Sequence, residues 1–182
     1  MALNATVHTF EIALNDADRG VYQALEFRVA RHPSETAEFL VTRVLAYCLE
    51  FAPGLAFSVG GLSDPDAPAL AIRDLTGQLE SWIEVGLPEP SRLHRAAKTA
   101  PRVAVYSHRD LGGLLARLAA EPTHRADRIE FYGVDPALVT GLSALLVRRM
   151  RFDMSVSGGE LYISHADSTY SGAVTPYRVA VS

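Results

Sequence analysis

Two carboxylates, Asp66 and Glu84, stand eighteen residues apart in a chain of 182. Asp66 lies in Asp64-Pro65-Asp66-Ala67-Pro68, a polar turn at the entrance of a strand. Glu84 lies in Trp82-Ile83-Glu84-Val85-Gly86, on the strand that follows. Acidic side chains on adjacent strands of one hairpin are the ligands a hydrolytic Mg²⁺ site needs, because the ion must be held by hard oxygens while it activates a water. Such hydrolysis also uses a fixed cation against the charge that develops on phosphate. Arg92, Arg95 and Lys98 recur three residues apart on the next helix and so share a face. They form a compact basic cluster near the carboxylates, able to act in catalysis or to hold phosphates without it.

Each of these residues has a plainer explanation. Asp64-Pro65-Asp66 is good turn chemistry by itself. A row of Arg and Lys on a helix is commonly a solvated face. Glu84 is less easily dismissed. Side chains alternate along a strand, so Leu79, Ser81, Ile83 and Val85 face one way, and Glu80, Trp82, Glu84 and Gly86 the other. A carboxylate beside a tryptophan on a covered face is a candidate site residue. Other catalytic signatures are absent. There is no nucleophile elbow, phosphate-binding Gly-rich loop or zinc pattern, and the six histidines lie far apart. Ser107 and His108, at the end of the run Val103-Ala104-Val105-Tyr106, are weaker candidates.

The elements that must position these groups can be read from pattern. Thr6 to Leu14 and Val21 to Val29 alternate and form an N-terminal hairpin. Pro33-Ser34-Glu35 reads as a helix start with Ser34 as N-cap, and apolar residues at 40, 41, 44, 45, 48 and 49 carry that helix to about Phe51. Strands are expected at Leu70–Asp74 and Leu79–Leu87, a helix at Arg92–Thr99, and a buried strand at Val103–Tyr106. A helix at Leu111–Ala120, a strand at Ile129–Tyr132 and a helix at Pro136–Arg149 follow. Phe152–Val156 and Glu160–Ser164 close a hairpin about Gly158-Gly159, and the tail from Ala166 is polar and poorly specified. The order predicts an α/β (α+β) fold, a mixed β-sheet flanked by helices, in one domain covering residues 1–182.

Composition narrows the class. Hydrophobic residues at 48% and charged residues at 21% suit a globular protein with a sizeable core. No apolar run reaches the roughly 20 residues that span a bilayer, and the N-terminal residues do not read as a secretory signal. A single cysteine, Cys48, excludes an internal disulfide and is consistent with a cytoplasmic protein. The net charge of −4 argues against a broad basic surface for nucleic acid, leaving room for a local one.

Taken together, Met1-Ala2-Leu3-Asn4-Ala5-Thr6, Ala30-Arg31-His32-Pro33-Ser34-Glu35-Thr36, Gly61-Leu62-Ser63, Trp82-Ile83-Glu84-Val85-Gly86-Leu87-Pro88 and Val103-Ala104-Val105-Tyr106 resemble the YaeQ family of bacterial proteins. The resemblance covers essentially the whole chain. It implies a variant of the restriction-endonuclease-like, PD-(D/E)xK-type fold with added β-hairpins. In such enzymes Asp66 and Glu84 would ligate Mg²⁺, and Glu35 or Glu38 on the first helix would complete the site. The lysine of that pattern would fall where this chain has Gly86. Two functions follow from the resemblance. One is a Mg²⁺-dependent phosphodiesterase acting on nucleic acid, with Arg92, Arg95 or Lys98 supplying the cation. The other is a binding module that has lost catalysis, linked to transcription or repair.

Overall fold

A computed structural model of the chain describes residues 4–59 and 64–180. The motif residues Met1-Ala2-Leu3 and Gly61-Leu62-Ser63 lie outside that range. An N-terminal hairpin, β1 (Thr6–Asp16) and β2 (Val21–Arg31), pairs in full register and leads into helix α1 (Ala37–Leu49). Then come β3 (Leu55–Phe57), β4 (Leu70–Arg73), β5 (Leu79–Val85), α2 (Pro90–Thr99), β6 (Arg102–Ser107) and α3 (Gly112–Ala120). A 3-10 turn at Ala126–Arg128 precedes β7 (Glu130–Val134), α4 (Pro136–Ala144), β8 (Arg149–Ser157), β9 (Glu160–His165) and β10 (Ser168–Tyr177).

All ten of these strands join one mixed sheet in the order β2-β1-β8-β9-β10-β7-β6-β5-β4-β3. Strands β5, β6 and β7 run parallel, as do β1 and β8; the other neighbours are antiparallel. The sheet curls until it nearly closes. Its two ends meet through aromatic rings: Tyr47 of α1 lies 4.4 Å from Phe27 of β2 and 4.8 Å from Phe57 of β3.

Helix α1 occupies the interior of the curl, which explains its composition. Leu40, Val41, Val44, Leu45, Ala46 and Cys48 are all buried, so the helix is apolar on most of its circumference. Thr36, not Ser34, is the N-cap; its hydroxyl accepts from the Phe39 N–H at 3.1 Å. Helix α4 packs beside α1 and completes the inner core with Met150, Phe152, Met154, Leu161 and Ile163 from the strands. A second core lies on the outer face of β5–β6–β7. There α2 and α3 cover Trp82, Val103, Val105 and Phe131 with Leu93, Ala96, Leu114 and Leu118.

The order of elements agrees with the pattern reading, with three corrections. Helix α4 ends at Ala144, and Arg149 already belongs to β8. The short β3 was not expected. The C-terminal tail forms β10, whose first half pairs with β9 and second half with β7. Gly172 makes that course possible, because a Cβ there would lie 2.7 Å from Asp135 Cβ and 2.9 Å from Leu138 Cβ.

Candidate functional site

Strand β5 is covered on both faces. Ile83 and Val85 point into the inner core, while Trp82 and Glu84 point toward α2. Glu84 is only 4% exposed. Its Oε1 accepts from Trp82 Nε1 at 2.6 Å and from Arg92 Nε at 2.7 Å. The Arg92 guanidinium stands 5.9 Å from the Trp82 ring centroid. Its remaining nitrogens donate to the Pro65 and Ala67 carbonyls, both at 2.6 Å. One arginine therefore ties α2, the loop around residue 66 and the end of β5 together. Burial pushes the Glu84 carboxyl above its usual range, an effect partly offset by the Trp82 hydrogen bond and the Arg92 charge.

The other sequence candidates are distributed around this centre. Asp66 turns outward; its side chain is 76% exposed and ion-pairs with Arg95. Its own N–H donates to Asp64 Oδ1, the turn chemistry that the local sequence suggests. Glu35 is buried. Its carboxylate accepts from Arg43 Nε and Nη2, each at 2.8 Å, and from the His32 N–H at 3.0 Å, so it staples the entry of α1 to β2. Glu38 is half-buried and borders the same groove as Glu84, and Lys98 is exposed on α2. Each of the three carboxylates Asp66, Glu84 and Glu35 thus has an arginine of its own. Among the described residues, no three His, Cys, Asp or Glu side chains are grouped as a metal ion would require. The donor set does not fit Mg²⁺ as arranged, since Glu84 Oε1 is taken by Arg92 and Trp82 while Asp66 and Glu35 are drawn apart onto their own arginines.

Gly86 also differs from the expectation that strand β5 runs through Leu87. The strand ends at Val85, and Gly86 turns away with φ +87° while its N–H donates to Tyr106 O at 2.8 Å. A Cβ there would sit 3.0 Å from the Phe39 ring. The backbone conformation favours glycine, and a lysine at this position would be strained.

These groups line a groove of about 740 Å³. It is lined by the first turn of α1, the Gly86 turn, Arg92, His108 and Arg109. Thr42 fixes His108: its hydroxyl donates to the Glu38 carbonyl at 2.8 Å and lies 3.2 Å from His108 Nδ1. Burial lowers the His108 pKa, and the Glu38 charge only partly restores it. A neighbouring hollow of about 400 Å³ shares His108 and Arg109 and extends along the ends of β6 and β7 to Gly133 and Asp135. Together the two run along the carboxyl ends of the parallel strands β5, β6 and β7.

Ser107 and His108 were legible as strand-end polar residues. Arg109 and Asp135 carried no comparable signal, because only the parallel alignment of β6 with β7 brings them near each other. His94 and His124, thirty residues apart, also meet: the His124 N–H donates to His94 Nδ1 at 3.0 Å.

The sequence profile of the family described as "YaeQ protein" matches residues 1–174. A relative described as "Uncharacterized protein YaeQ" from Salmonella typhi is 27% identical over 180 residues, covering 98% of each chain. Another of that description from Escherichia coli (strain K12) is 28% identical over 166 residues, covering 90% of this chain and 91% of the relative. Among solved structures, the YaeQ protein from Pseudomonas syringae superposes with a TM-score of 0.86 at 29% identity, covering 94% of this chain and 95% of that one. The YaeQ protein from Xanthomonas axonopodis pv. citri gives a TM-score of 0.81 at 29% identity, covering 97% and 99%.

Proposed function

The chain belongs to the YaeQ family, and we propose on that premise that it is a binding module on a nuclease-like scaffold, not a metal-dependent nuclease. The observation that carries this is the Glu84 carboxylate held by Arg92 Nε and Trp82 Nε1. The guanidinium supplies the positive charge that a metal would otherwise bring. Gly86 supports the same reading, because its left-handed backbone leaves no relaxed place for a catalytic lysine.

The partner assigned to the groove is nucleic acid, bound through phosphates. Arg109 and the N-terminal end of α1 line the groove and offer donors and positive potential; Arg95 and Lys98 are exposed on α2, which brings Arg92 to the same groove. The net charge of −4 argues against a broad basic surface and leaves room for a local one. Glu38 on the rim repels phosphate and limits how closely a strand can approach.

A Mg²⁺-dependent phosphodiesterase is the second reading. It is favoured by one fact, that Glu38 and Glu84 border the same groove. It requires Arg92 to release Glu84.

Two measurements separate the readings. Calorimetric titration with Mg²⁺ and Mn²⁺, and fluorescence polarisation with labelled DNA and RNA in EDTA, are made on the same protein. The binding module shows no saturable metal uptake, binds nucleic acid with affinity that falls as salt rises, and survives EDTA. Metal-dependent cleavage that disappears in Glu84→Gln would overturn it in favour of the nuclease. Absence of any nucleic-acid binding would overturn the choice of partner.

A further inference from the structure

His108 lines both the groove and the neighbouring hollow, and its ring is held in one protonation pattern. Thr42, fully buried on α1, has a single hydroxyl proton, which goes to the Glu38 carbonyl at 2.8 Å. The same oxygen lies 3.2 Å from His108 Nδ1. It can meet Nδ1 only as an acceptor, so Nδ1 carries the ring proton. A neutral imidazole has one N–H and one bare nitrogen, which leaves Nε2 as the acceptor. Burial lowers the His108 pKa; Glu38 opposes this and Arg109 adds to it, so the ring is neutral at pH 7.

Two neighbours share the space. Arg109, the next residue along the chain, is exposed and lines both hollows. Phe39, half-buried on α1, gives the groove an aromatic surface.

The three groups ask for different chemistry. An exposed guanidinium takes a phosphate. An aromatic ring takes the flat face of an unpaired base, which a duplex keeps stacked inside. A bare imidazole nitrogen needs a donor, and phosphate oxygens have no proton to give. In a nucleic-acid backbone the donor is the ribose 2′-hydroxyl, which DNA lacks. That hydroxyl stands beside the 3′-phosphate of its own nucleotide. Residues 108 and 109, with Cα atoms about 3.8 Å apart, place an acceptor and a cation at matching proximity.

We propose that the groove selects single-stranded RNA over DNA, with a ribose 2′-hydroxyl donating to His108 Nε2, the adjacent phosphate on Arg109 and the base against Phe39. The preference presupposes that the groove binds nucleic acid, as proposed above, and adds the kind of strand. Thr42 is a positioning residue. It fixes the ring from behind and touches no ligand.

The probes are labelled oligouridylate, its 2′-deoxy counterpart and its 2′-O-methyl counterpart, of equal length, compared by fluorescence polarisation at one salt concentration. The ribose strand should bind about three- to tenfold more tightly than the deoxy strand, the worth of one neutral hydrogen bond. The 2′-O-methyl strand keeps the oxygen and loses the proton, so it should not share that advantage. His108→Ala should abolish the difference between ribose and deoxy strands. Imidazole ¹⁵N NMR of the free wild-type protein reads the tautomer directly and needs neither ligand nor variant; Nδ1 protonated and Nε2 bare is the expected result. Thr42→Val removes the acceptor behind Nδ1, so that tautomer should lose its dominance and the RNA preference should shrink. Equal binding of the ribose and deoxy strands, an RNA preference undiminished in a folded His108→Ala protein, or a ring protonated at Nε2 would overturn the proposal and leave nucleic-acid binding standing. Binding of none of the strands would remove the nucleic-acid reading itself, and this preference with it.

Discussion

Replacing Arg92 by alanine tests the central contact of the candidate site. Glu84 has a side chain 5% exposed and Arg92 one 25% exposed, with 2.7 Å between their charged atoms. Removing one member of a fully buried pair costs about 3–5 kcal/mol, since the remaining charge stays desolvated. Arg92 is reached by water on one side, which lowers that figure. Its bonds to the Pro65 and Ala67 carbonyls add back about 0.5–1.5 kcal/mol each. A net loss of about 2–4 kcal/mol is expected, or roughly 5–15 °C in Tm for a chain of this size. Urea unfolding of the wild type, Arg92→Ala, Glu84→Gln and the double variant forms a complete cycle. Gln keeps an oxygen for the Trp82 N–H, so the cycle isolates the charge pair. A coupling of about 1–3 kcal/mol is expected. The Arg92→Ala deficit should also shrink in acid. A carboxyl whose folded pKa is raised favours the folded state at low pH and loses that advantage as pH rises through the raised value. Additive single effects, with Arg92→Ala costing less than about 0.5 kcal/mol, would refute the pair and leave Glu84 available to a metal.

Three further outcomes can be checked on the same protein. Leu45→Ala, at a fully buried position of α1, should destabilise by about 2–5 kcal/mol in urea unfolding; unchanged stability would count against α1 as the centre of the core. Gly86→Ala and Gly86→Lys should each cost about 1–3 kcal/mol, given the positive φ; a folded Gly86→Lys protein of wild-type stability would show that the turn tolerates a side chain. Hydrogen bonds from Gly159 and Gly158 hold Asp18, and those from Arg149 and Arg151 hold Glu11, below their ordinary carboxylate range. The stability they contribute is present at neutral pH and is lost as pH falls through the lowered values. Asp18→Asn should therefore flatten the acid limb of a Tm–pH curve, and an unaltered limb would contradict this.

Much of the architecture could be read from local pattern. The apolar spacing at 40, 41, 44, 45 and 48 marks α1, and alternation marks β1, β2 and β5. What escaped reading depends on contacts distant in sequence. β10 has the polar composition of a tail, and only its two partner strands give it a place. Gly86 looked like the next residue of a strand, because alternation carries no information about where φ changes sign. The carboxylates Asp66, Glu84 and Glu35 were visible as candidates, and Arg92 and Arg95 as a basic cluster near the first two, but the pairing of each carboxylate with its own arginine was not. Arg43 reads as an interruption in a buried helix until Glu35 is seen to turn back on it. Thr42 and His108 come from separate segments and meet only in the folded chain.

The path of β10 also bears on how the molecule is assembled. It hydrogen-bonds β9 through Ser168–Ala173 and β7 through Val174–Tyr177, and so is the seam between β2-β1-β8-β9 and β7-β6-β5-β4-β3. During synthesis both halves emerge from the ribosome before their connector does. Until then β7 and β9 present unpaired edges, the kind of surface that templates aggregation. The long sequence separation between β1 and β8 adds to the entropy that closure must overcome. Completion of the fold is thus deferred until β10 has been made, and losing these ten residues would leave two open half-sheets in place of one curled sheet.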